Sequence, residues 1–148
     1  MRKKVLLVRG LPATGKTTLA NRLGEQLNCT VHEYEESENQ DALLQKAIET
    51  MQFNGEEHTV LIANFIQSSY IRPVVEAFSR RYGSVDFQFY IANGGNGQSA
   101  TVPMSTVHRM RMNFQANEDV IKDLSKRFPQ HRYFDCFQPR IPRQTTRR

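Results

Sequence analysis

The sequence predicts an α/β domain on a mainly parallel, five-stranded sheet with helices on both faces. Two observations carry that expectation. Short apolar runs at 3–9, 58–65 and 84–92 stand between stretches whose apolar residues recur at helical spacing. Strand and helix also alternate along the chain, which calls for right-handed crossovers between parallel neighbours. There is no internal repeat and no linker. Residues 1–137 are therefore expected to form one domain, with 138–148 as a basic C-terminal tail.

In order, "KKVLLVR" is a short apolar run bounded by charge and glycine, and reads as a buried strand. Leu19, Ala20, Leu23 and Leu27 mark one face of a helix over 16–27. "CTVHEYE", 29–35, predicts a second strand through Thr30 and Val31, expected to lie adjacent to the first. Ala42, Leu43, Ala47, Ile48 and Met51 predict a helix over 39–54, closed by Asn54-Gly55. "HTVLIANF" is the clearest apolar strand, and the stretch after it reads as helix as far as Gly83. Pro73 suits that helix only near its first turn, where a missing N–H costs nothing. Val85, Phe87, Phe89 and Ile91 alternate in a fourth strand, and "NGGNGQSATVP" is loop by its glycines. Helices are expected over 104–114 and 118–128, then a last strand over 132–137. Met104, Met110 and Met112, beside Val107 and Phe114, are read as core packing.

Hydrophobic residues make up 39% of the chain and charged residues 24%, a balance ordinary for a soluble protein. No apolar run nears the roughly 20 residues that cross a bilayer, so no membrane partner is expected and the cytoplasm is the expected location. Cys29 and Cys136 should stay unpaired there. Without CxxC spacing, and with His32, His58, His108 and His131 scattered, a structural zinc site is not expected. The net charge of +5 is unevenly placed. Residues 1–24 hold six basic and no acidic side chains, and 25–57 hold nine acidic against one basic. Arg140, Arg143, Arg147 and Arg148 crowd the tail, so the basic character is largely a tail property.

One motif carries chemistry. "GLPATGKTT" satisfies GxxxxGK followed by Ser or Thr, after an apolar strand and at the start of an amphipathic helix. Gly10, Leu11, Pro12, Ala13, Thr14, Gly15, Lys16, Thr17 and Thr18 form the expected cradle for the phosphates of ATP. Glycine at both ends lets backbone N–H groups close around an anion. Lys16 would meet the β- and γ-phosphates, and the Thr17 hydroxyl would be a ligand for Mg²⁺. "VLIANF" brings no acidic residue to the end of its strand, and no NKxD motif for guanine is present. Those absences argue against motor ATPases and signalling GTPases and leave small P-loop kinases.

"RGLPATGKTTLANRL", "RPVVEAFSRRYG" and "TVPMSTVHRMRMNF" together resemble the polynucleotide kinase family of P-loop kinases. The resemblance covers most of residues 1–115, and its third motif is fairly specific. Relatives include phage 5′-hydroxyl kinases and phage kinases acting on 5-hydroxymethyluracil in DNA; a chain of phage origin would work in the host cytoplasm. The resemblance implies a P-loop kinase fold and ATP-dependent transfer to a hydroxyl of nucleic acid, DNA ahead of RNA. It places Glu35 and Glu36 where the family carries an Asp pair, so Glu35 is the candidate general base. Glu38 falls on a family arginine, Asn64 on a position often acidic, and "NGGNGQSA" on a lid helix that normally carries arginines. A replacement arginine would come from Arg109 first, or from Arg111, Arg72 or the tail; Arg109 and Arg111, two residues apart, cannot share a helix face. A regulatory nucleotide-binding module with weak catalysis and a small-metabolite kinase are the alternatives.

If the tail arginines track acceptor phosphates, removing residues 138–148 should raise KM with little change in kcat. About four lost contacts would also flatten the log–log salt dependence on duplex DNA, by about 0.9 per contact. An unchanged salt slope would make the tail irrelevant to the acceptor.

Overall fold

The structure, a computed structural model, describes residues 2–34, 40–92 and 102–136. Its elements run β1 (Lys3–Arg9), α1 (Lys16–Leu27), β2 (Val31–Glu33), α2 (Gln40–Asn54), β3 (His58–Ala63), α3 (Ser68–Tyr82), β4 (Val85–Ile91), α4 (Met104–Asn113), α5 (Asn117–Arg127) and β5 (Arg132–Asp135). All five strands are parallel, in the order β2-β3-β1-β4-β5.

β1 is the central strand, and its alternation sorts the core into two layers. Val5 and Leu7 face α2, α3 and α5 in one cluster, while Leu6 and Val8 face Leu19, Ala20 and Leu23 of α1 in the other. Each fully buried Leu or Val contributes about 1.5–3 kcal/mol over its exposed state. The edge strands are the short ones. β2 narrows to Val31–Glu33, less than the expected 29–35, and β5 stops at Asp135. β5 is fastened by charge: Arg132, opposite Asp86 in register, donates two hydrogen bonds of 2.7 Å to its carboxylate. Those bonds hold the Asp86 carboxyl below its usual range.

Three expectations need correction. Pro73 lies inside α3, beyond its first turn, and gives up a hydrogen bond to the Ser69 carbonyl. Ser69 is exposed, so water can take that carbonyl, and the helix continues. The methionines of α4 are not core. Met104 is 52% and Met112 74% exposed, Met110 and Phe114 are half-buried, and Val107 alone of the helix is buried. Finally, β2 is not the neighbour of β1, because β3 lies between them. Cys29 and Cys136 are free, as expected. Among the described residues no helix is long and apolar enough to cross a membrane.

His131 joins β5 to β4 and carries a pH dependence. Its Nδ1 accepts the Val85 N–H at 3.1 Å, and its ring meets Phe87 edge-on at 5.0 Å. Burial pushes its pKa down, as it does for His32 and His58. The unfolded chain binds a proton as pH falls through about 6.5 while the folded chain resists it. Stability is thus full above that pH and lost below it. We expect the urea midpoint to drop between about pH 7.5 and 5.5. His131→Gln should be less stable at the upper pH but show a shallower decline; an equal slope would remove His131 from the effect.

Candidate active site

The loop between β1 and α1 is shaped by close backbone approach. A Cβ on Gly10 would lie 2.6 Å from the Ala92 carbonyl oxygen and 2.9 Å from Thr14 Oγ1, so a side chain is excluded there. Ala92 N–H donates to the Arg9 carbonyl at 2.8 Å, which holds the end of β4 against the start of the loop. Gly15 opens α1 at φ 89°, ψ 21°, a left-handed conformation that glycine adopts without the penalty of a Cβ. Thr14 Oγ1 donates to the Leu11 carbonyl at 2.6 Å and fixes the curl of the loop.

No side chain caps α1, and its first turn holds no acidic residue. Its backbone N–H groups and the positive end of its dipole are therefore available to an anion. Lys16 Nζ donates to the Gly10 carbonyl at 3.0 Å and to Asn64 Oδ1, which anchors the ammonium over the loop. Asn64 follows β3 and is neutral, so this contact is ion–dipole. Thr17 is exposed in the first helical turn. Its hydroxyl and the Asn64 amide oxygen are hard oxygen donors of the kind Mg²⁺ takes, and nothing stands within 4 Å of where a Cβ on Gly15 would lie.

The sheet gathers other candidates to the same edge. Parallel strands put every carboxyl end on one side, and β2 ends two strand spacings from β1, about 10 Å at 4.7–4.9 Å each. Tyr34, the last described residue before Glu35, is buried, bonded to Ile62 through its N–H at 2.7 Å, and stacked on Phe65 at 5.3 Å. Glu35, Glu36 and Glu38 lie outside the described residues, as do the lid replacement over 93–100 and the tail. Arg109 is exposed on α4 and makes no hydrogen bond or ion pair among the described residues, whereas Arg111 is engaged. Arg72 is committed to Asp123 at 3.1 Å. Arg80 and Arg81 stand exposed in the last turn of α3, at the negative pole of its dipole.

One residue was missed. Arg9 is 0% exposed at the end of β1, with its guanidinium bonded to Phe65, Ile66 and Asn117. Strand parity could have found it: Arg9 shares a face with Val5 and Leu7, so its side chain had to point inward.

No family model matches the sequence, and no curated protein matches it at a significant level. Among solved structures the fold is similar to a sugar kinase from Janibacter sp. HTCC2649, at TM-score 0.56 and 15% identity over 96% of this chain and 88% of that one. It is also similar to Chaetomium thermophilum Kti12 in complex with ADP-AlF3, at 0.52 and 12% over 88% of each chain. A gluconokinase from Sinorhizobium meliloti 1021 matches at 0.50 and 14%, over 94% of this chain and 86% of that one. At such identities the likeness is one of fold, and the fold is that of the P-loop kinases.

We expect Lys16→Ala to abolish triphosphate binding in calorimetry while the thermal midpoint stays near that of the parent, since no core contact is lost. Unchanged binding would overturn this assignment of the loop.

Proposed function

We propose that this chain is an ATP-dependent phosphotransferase whose acceptor is an alcohol, and that the alcohol belongs to a nucleic acid. The observation that supports it best is the Lys16 ammonium held over an uncapped helix N-terminus, at the sheet edge where β2 also ends. Residues Gly10–Thr18 would hold the triphosphate, and Lys16 would balance charge on its terminal oxygens. Magnesium, when bound, neutralises phosphate charge and orients the terminal group, and Thr17 would be its protein ligand. Glu35 would take the acceptor proton as the new oxygen–phosphorus bond forms and the bond to the leaving diphosphate breaks. Arg109, exposed on α4 and without a polar partner among the described residues, is the arginine best suited to the charge that spreads over the transferring group.

The nucleic-acid acceptor rests on the "TVPMSTVHRMRMNF" resemblance and on an α4 without a single acidic residue. A second reading, a small polyol acceptor, draws on the similarity to proteins described as a sugar kinase and a gluconokinase. Labelled ATP offered with a 5′-hydroxyl oligonucleotide, hydroxymethyluracil DNA, nucleosides and sugar acids separates the two.

Glu35→Gln keeps the size and removes the base. ATP affinity should survive while turnover on the preferred acceptor falls about 10²–10⁴-fold. Normal turnover in Glu35→Gln, with loss in Glu33→Gln or Glu36→Gln, would move the base to a neighbouring carboxylate. Normal turnover in all three would remove carboxylate catalysis from the mechanism.

A further inference from the structure

Arg9 directly precedes Gly10, yet its side chain turns away from the phosphate loop into the layer beneath α3 and α5. There it meets two separate connections, one after β3 and one after α4. Nε and Nη2 donate to the Phe65 carbonyl at 3.0 and 2.7 Å. Nη1 donates to Asn117 Oδ1 at 2.7 Å, and Asn117 donates onward to Asp135 at 2.7 Å. The Phe114 ring lies 4.6 Å from the guanidinium carbon. Phe65 is held at φ 42°, an unusual conformation for an aromatic residue, and the forked donation to its carbonyl stabilises that turn.

The residues on this node support the end of α4 that carries Arg109 and pack against the last described residue after β2. Phe65 carries the stacked Tyr34, which immediately precedes Glu35. Phe114 ends α4, five residues or about 7.5 Å of helix beyond Arg109. Gln115 completes the clasp: its N–H donates to the Ile66 carbonyl at 2.7 Å, and its Oε1 accepts from the Ser68 N–H at 2.9 Å. The helix itself buries only Val107, so its direction is set chiefly at this end.

We propose that Arg9 is a positioning residue, which sets the direction of α4, and with it the place of Arg109, by fixing the 65–68 turn and the 114–117 clasp to the end of β1. The proposal rests on the kinase reading for its catalytic consequence, but its mechanical part does not. A displacement of about 1 Å at the base of α4 is enough to cost about 10²-fold in rate when it misplaces a charge-stabilising group.

The test uses the full chain with Cys29 and Cys136 replaced by alanine and spin labels on Glu25→Cys of α1 and Ser105→Cys of α4, both exposed positions. Pulsed electron resonance reads the α1–α4 distance, and turnover is read in Arg9→Met, Phe114→Leu and their combinations with Arg109→Ala. We expect a single narrow distance that broadens in both variants. ATP affinity should hold while turnover falls about 10²-fold in Arg9→Met. Arg9→Met should then add little to Arg109→Ala, because one acts through the other. Arg9→Lys, which keeps charge but not the fork, should recover only part of the rate. Losses that simply multiply would overturn the coupling to Arg109, and an unbroadened distance would overturn the anchoring. Should Arg9→Met fail to fold, Phe114→Leu supports the same two readouts. If the unmutated chain phosphorylates none of the acceptors, the kinase reading falls, and the distance measurement alone decides the role of Arg9.

Discussion

A buried guanidinium constrains this structure more than any other single group. Arg9 is removed from water at the end of the central strand, and an unpaired charge in that place would be untenable. Burial draws its pKa down to about 10, opposed by the charge of Asp135, so it remains protonated at neutral pH and must be supplied with acceptors. The turn after β3 bends to present two carbonyls, and Asn117 opens α5 at the distance its side chain needs. Asn117 in turn reaches the Phe89 carbonyl and Asp135, so β4 and β5 join the same network. Three strands and two connections meet around one side chain.

The phosphate loop grows from the other side of the same strand end. A central parallel strand buried on both faces brings its chain out at the middle of the carboxyl edge, where helix N-termini converge and ligands of open α/β sheets collect. The loop must leave past β4, and Ala92 leaves no room for a Cβ at Gly10. Asn64 at the neighbouring exit accepts a hydrogen bond from Lys16. The loop thus brings a cation and backbone dipoles together, which suits a ligand that carries several negative charges of its own.

Where reading and structure part, the cause is a contact between distant segments. The spacing of Met104, Met110 and Met112 beside Val107 looks like a helical core face, and periodicity says nothing of whether another layer lies opposite it. α5 covers the sheet beside α3, so α4 is left with Val107 alone buried. Pro73 was confined to a first turn by a local rule, and an exposed Ser69 carbonyl relaxes that rule. The adjacency of β1 and β2 was a default for consecutive strands; β3 intervenes because its apolar run is buried and needs a partner on each side.

The sequence by itself determined the alternation of elements and the glycine loop with Lys16 and Thr17, because each follows from a local pattern. Element boundaries held to within a few residues wherever the apolar period was strong, as in β1, α1 and β4. Only the tertiary structure decided the strand order, the exposure of α4 and the commitment of Arg72 to Asp123. The burial of Arg9 among Phe65, Phe114 and Asn117 belongs with these. A buried charge is satisfied by whichever polar groups the fold brings near, and those lie 56 and 108 residues away along the chain. No local pattern encodes such a meeting, which is why the phosphate loop was legible in the sequence and its support was not.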